Sequence, residues 1–160
     1  MADRTTNLAT VRRVREELTT LLDGMDYCLD WKNGEDWCVR EVLYHLGDTP
    51  EGGIGSVIAG VLAGTLPEIT ILPDINNMTP ERMATDIGEA IAGPLAIIQT
   101  AEDAIANATD DDFEQRTTFA HLPHRDIHEV RTAQSVIDGF ERHWGEHLNQ
   151  IRAVREALGM

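Results

Sequence analysis

The segment GFERHWGEHLNQIRAVREAL carries two histidines four residues apart. Phe140, Leu148, Ile151, Val154 and Leu158 recur there at helical spacing, and His143 and His147 occupy the middle of the same apolar stripe. Residues four apart on a helix point the same way, so the two imidazoles form a fork that can grip one metal ion. Burying both rings without partners costs a few kcal/mol each. A metal ion removes that cost if another helix supplies a further ligand, and His45, among the apolar positions Val39, Val42, Leu43 and Leu46, is the natural third. The competing reading is that each ring simply hydrogen-bonds a carboxylate or carbonyl. Spacing alone leaves both readings open. HLPHRDIH offers a rival set, His121, His124 and His128, which either holds a metal by itself or lines the entrance to a site elsewhere.

Other chemistries find no support. No Glu stands three residues before any His, so the Glu-x-x-His pairs of ferritin-like di-iron bundles are missing, as is the His-Glu-x-x-His fork of zinc proteases. GGIGSVIAG has the wrong glycine spacing to cradle phosphate, and no G-x-S-x-G elbow occurs. Cys28 and Cys38 fit no zinc-finger or redox spacing and read as reduced thiols. A helix N-terminus at Cys38 can lower a thiol pKa, but a small buried thiol is the commoner case. Asp48 and Glu146 stand where they can steer the imidazoles as outer partners, or remain solvated.

With 13 basic and 28 acidic residues the formal charge is -15, which repels phosphate backbones and anionic membrane surfaces. Nucleic acid and membrane are therefore not expected partners. The N-terminal MADRTTNLATVRRVREELT has no unbroken apolar core of a secretion signal, and the expected location is cytoplasmic.

The elements that must position the histidines are helical. A chain of 160 residues with 42% hydrophobic and 5% aromatic residues, apolar side chains recurring in threes and fours, reads as one all-α domain over 1–160. Leu8, Val11, Val14, Leu18, Leu22 and Met25 mark a first helix ending near Gly24. A second begins around Cys38, and Asp48, Thr49 and Pro50 kink or split it before Ile54, Val57, Ile58, Val61 and Leu62 resume the period. GTLPEITILPDINN reads as a loop. Thr79 and Pro80 then start a third helix carrying Met83, Ile87 and Ile91, with a kink or break expected at Gly93-Pro94. NATDDDFEQRTTFAHLPHRDIHE has no steady period and reads as a long loop, followed by a final helix from about Arg131 to Leu158. Four helical segments of this kind make a four-helix bundle, a fold that builds metal and cofactor sites from inward side chains.

Two segments resemble the DinB-like family of bacterial metal-binding four-helix bundles, which includes YfiT-type proteins and the N-terminal domain of mycothiol-dependent maleylpyruvate isomerase. DWCVREVLYHLGD is similar to the family's tryptophan-led second helix, with His45 at its first ligand position. RHWGEHLNQI is similar to its closing His-x-x-x-His helix, with His143 and His147 as the other two ligands. The resemblance implies an up-down-down-up bundle, one divalent metal, zinc or nickel, and a homodimer. Cys38 departs from the hydroxyl residue that relatives use to cap the helix, leaving Asp36 as an alternative cap.

Three neutral nitrogens leave part of a divalent ion's coordination sphere open, as in catalytic sites. Such an ion lowers the pKa of a bound water or thiol. Relatives that use low-molecular-weight thiols make a metal-dependent thiol transferase acting on a small-molecule substrate the first expectation. A metal-dependent hydrolase, a non-catalytic metal or small-molecule binder, and a bundle whose histidines only brace its core are the alternatives.

Overall fold

Each long helix starts at a residue whose side chain takes over a stranded backbone N–H. Asp3 accepts from Thr6 N–H at 2.7 Å ahead of α1 (Arg4–Leu22). Thr132 accepts from Ser135 N–H at 3.1 Å ahead of α7 (Ala133–Ala157). Asp86 and Glu89 form a reciprocal capping box for α5 (Ile87–Asn107). The computed structural model describes residues 3–48, 53–73 and 75–160.

The bundle consists of α1, the pair α2 (Val39–Asp48) and α3 (Gly53–Ala63), α5 and α7. Both α5 and α7 pack against α1, α2 and α3. Val14, Leu18, Leu43, Leu46, Ile98, Ile105, Phe140, Trp144, Leu148 and Ile151 meet in one core. The second helical segment is split into α2 and α3; Thr49 and Pro50, where the interruption was expected, lie outside the described residues. Against the expectation at Gly93-Pro94, α5 runs through Pro94 without a break. Gly93 offers no Cβ to clash with the proline ring. Across the interface Gly47 faces the proline, and a Cβ there would stand 3.6 Å from Pro94 Cδ, an ordinary van der Waals distance.

Two expectations are corrected. Thr79 does cap a helix, accepting from Arg82 N–H at 3.2 Å, but that helix is the single turn α4 (Pro80–Met83), and Ile87 and Ile91 belong to the separately capped α5. The chain is also not purely α-helical. Within the stretch read as a long loop, the short helix α6 (Asp112–Gln115) leads into β2 (Thr117–Leu122) and β3 (Ile127–Thr132), an antiparallel hairpin. A 3-10 turn, Pro123–Arg125, joins its strands, and Asp126 closes it at φ 53°, a left-handed conformation that aspartate tolerates. β1 (Glu68–Thr70), from the other expected loop, pairs parallel to β2 with Ile69 opposite Ala120. Thr118, Ala120 and Leu122 point inward, so the sheet buries one face on the helices. Among the described residues no helix is long and apolar enough to cross a membrane.

Candidate metal centre

Helix α2 contributes His45 and α7 contributes His143 and His147, and the packing of α2 on α7 brings the three rings together. His45 is fully buried, His147 nearly so and His143 half-buried. His143 Nε2 lies 3.2 Å from His45 Nε2 and 3.0 Å from His147 Nε2. A divalent ion bonded to imidazole nitrogens at about 2.0–2.1 Å spaces neighbouring donors about 2.9 Å apart at right angles and about 3.3 Å apart at tetrahedral angles. The observed distances fall in that interval.

The proton count points the same way. His45 Nδ1 lies 2.9 Å from the Ile75 carbonyl oxygen, and His147 Nδ1 lies 2.7 Å from Gln150 Oε1. Both oxygens only accept, so each ring carries its proton on Nδ1 and, when neutral, keeps a lone pair on Nε2. The three Nε2 atoms then meet with at most one proton, from His143, to serve two short contacts. A cation between them satisfies every lone pair, so the donor set fits a divalent metal. Carbonyl partners on the far nitrogens are what metal-ligating imidazoles use to fix tautomer and ring orientation. Trp37 stacks on His147 with ring centroids 6.0 Å apart and planes 8° from parallel, and meets His45 edge-on at 5.0 Å.

His143 also forms part of the wall of a cavity of about 1140 Å³ between α3, the sheet and α7. Val57, Ile69, Leu122 and Phe140 form an apolar part of its wall, while His124 and Arg125 stand on the 3-10 turn. The site is therefore a three-nitrogen cluster at the edge of a cavity large enough for organic ligands.

A profile of the DinB superfamily matches residues 10–151. The chain belongs to the DinB superfamily. Among solved structures it is similar to YfiT from Bacillus subtilis, described as "a probable metal-dependent hydrolase with an unusual four-helix bundle topology". The TM-score is 0.75 at 17% identity, covering 98% of this chain and 87% of the other, a likeness of fold. No functionally curated protein matches.

In this DinB superfamily member the rival histidines do not converge as a trio. His121 and His128 pair on the hairpin, while His124 faces the cavity. Asp48 and Glu146 also line the cavity, each beside an arginine: Asp48 lies 2.6 Å from Arg82 and Glu146 lies 3.7 Å from Arg142. Burial pushes the Cys38 thiol up, opposite to an activated nucleophile, and Cys28 is likewise a buried free thiol. Cys38, not Asp36, occupies the cap of α2: its carbonyl accepts from Val42 N–H at 3.1 Å and its N–H donates to Glu41 Oε2 at 2.8 Å.

Glu41 is a supporting residue that spacing did not reveal. Its carboxylate accepts from Cys38 N–H, from Lys32 at 3.1 Å and from Asn76 Nδ2 at 2.9 Å, and Asn76 follows Ile75, whose carbonyl holds His45. Burial by itself raises the Glu41 pKa, but the three hydrogen bonds outweigh it and the net shift is downward from 4.5. A depressed folded-state pKa means that the stabilisation is fully present above about 4.5 and is lost as pH falls through the lowered value. Glu41→Ala is expected to cost roughly 1.5–3 kcal/mol at neutral pH and to flatten the fall in stability below pH about 4.5. If the triad holds an ion, freeing the segment that carries Ile75 is expected to weaken its retention about 10–100-fold. Denaturant titrations across pH, with metal analysis of the same samples, check both outcomes.

Proposed function

We propose that this DinB superfamily protein is a metal-dependent enzyme in which His45, His143 and His147 hold one divalent ion, zinc or nickel, and that it transfers a small cellular thiol to an electrophile in the adjoining cavity. The observation that carries the reading is the convergence of three Nε2 atoms at a cavity edge, with carbonyl oxygens holding two of the opposite ring nitrogens. When bound, the ion supplies a Lewis-acid centre that lowers the pKa of a coordinated thiol or water. The Ile75 carbonyl and Gln150 keep the His45 and His147 protons on Nδ1, so both rings present lone pairs. Trp37 backs the two buried rings, and the apolar wall at Val57, Ile69 and Phe140 holds the carbon skeleton of the electrophile away from water.

Cavity volume accommodates a transfer reaction. About 1140 Å³ exceeds the roughly 300–1,000 Å³ of an ordinary small-molecule site, leaving room for two reactants side by side. Hydrolysis is the second reading, favoured by the description of YfiT, and it uses the same ligands with water as nucleophile. Metal-loaded protein mixed with 1-chloro-2,4-dinitrobenzene and, in turn, cysteine, glutathione and coenzyme A is expected to form a conjugate faster than the chelator-treated control with at least one thiol. Failure with every thiol, combined with metal-dependent cleavage of a p-nitrophenyl ester, would establish the hydrolase instead.

A further inference from the structure

The β2–β3 register places His121 directly opposite His128 on the outer face of the sheet, away from the buried face of Thr118, Ala120 and Leu122. Their side chains keep 30% and 46% of their exposure, and their Nδ1 atoms stand 2.9 Å apart. Both rings have a carboxylate near the other nitrogen. His121 Nε2 lies 3.9 Å from Glu68 Oε1 on β1, and His128 Nε2 lies 3.8 Å from Asp126 Oδ1 at the hairpin turn. Phe119 packs edge-on against His121, with centroids 4.9 Å apart, and limits rotation of that ring.

We propose that this pair is a second divalent-metal site, distinct from the helical triad, taking a late first-row ion such as Ni²⁺ or Cu²⁺ through the two Nδ1 atoms. The 2.9 Å contact is a hydrogen bond in which one Nδ1 carries the proton, and the carboxylates at 3.8–3.9 Å stand beside the Nε2 positions to which that proton moves when an ion binds. A cation between the rings then takes both Nδ1 lone pairs in place of that hydrogen bond. The separation equals that of two adjacent positions at right angles around an ion with bonds of about 2.0–2.1 Å, the geometry of tetragonal rather than tetrahedral centres. The strand pairing fixes the two ligands before any metal arrives, and solvent fills the remaining positions. Binding is therefore weaker and more exchangeable than at a buried site with three imidazoles.

Protein stripped with a chelator and titrated with Ni²⁺ by calorimetry separates this site from the triad. Two classes of binding are expected, one tight and one weak. His121→Ala and His128→Ala each weaken the second class by more than the roughly tenfold cost of losing an outer partner and leave the first intact. The double variant His143→Ala/His147→Ala does the reverse, and His124→Ala changes neither class. A weak class that survives both His121→Ala and His128→Ala, or its absence from the unmodified protein, overturns the inference. If the unmodified protein shows the weak class without the tight one, the hairpin site stands and the reading of the triad fails.

Discussion

His147→Ala is expected to empty the helical triad of metal and to abolish the protein's thermal response to chelators. The substitution removes one of three imidazoles whose Nε2 atoms converge, and with it the bond to Gln150 that orients the ring. A ligand that binds the folded state alone stabilises it by about 4.1 kcal/mol at a thousand times its dissociation constant. For a domain of this size, where each kcal/mol moves Tm by about 2–4 °C, metal removal from the unmodified protein should lower Tm by roughly 8–16 °C. The variant should melt at one temperature with or without chelator. Equal metal content in the two proteins, or a Tm of the unmodified protein that ignores chelation, would show that these histidines are not the ligands.

The second large effect concerns Trp144, fully buried beside Phe140 with ring centroids 5.1 Å apart. Trp144→Ala should cost about 3–5 kcal/mol, the range for deleting a large aromatic from a core. Trp144→Phe should cost much less, for a reason specific to this site. The indole Nε1 is buried with no hydrogen-bond partner among the described residues, and leaving such a group unsatisfied costs about 1–3 kcal/mol. Phenylalanine removes that N–H while filling most of the space. Urea unfolding of the two variants side by side provides the comparison. Equal losses would mean that the indole makes a bond, to a buried water for instance, that phenylalanine cannot replace.

The helical triad was legible because helix geometry is strictly periodic. His143 and His147 interrupt a stripe that otherwise reads Phe140, Leu148, Ile151, and His45 lies among Val42, Leu43 and Leu46, so inward placement followed from counting. The hairpin was hidden because two of its three inward residues, Thr118 and Ala120, are only weakly apolar, while outward Phe119 and Val130 blur the alternation. At the start of α5 a strong signal masked a second one. Thr79-Pro80 begins α4 as it should, and the Asp86-x-x-Glu89 box that begins the long helix was present in the sequence but absorbed into one continuous pattern. The supports of the site lay beyond local pattern. Ile75 acts through its backbone carbonyl, which leaves no trace in side-chain type, and Glu41 reaches Asn76 across 35 positions.

His45 and His143 are 98 positions apart, on α2 and α7. Closing so long a stretch of chain has a substantial entropic cost before any contact between its ends repays it. On the ribosome, a nascent chain that has already formed α2 still lacks two of the three rings until residues 133–157 have been synthesised and have docked. On the proposed reading, filling of the triad would thus be a late, post-translational event, and an ion held there would report that the final helix is in place.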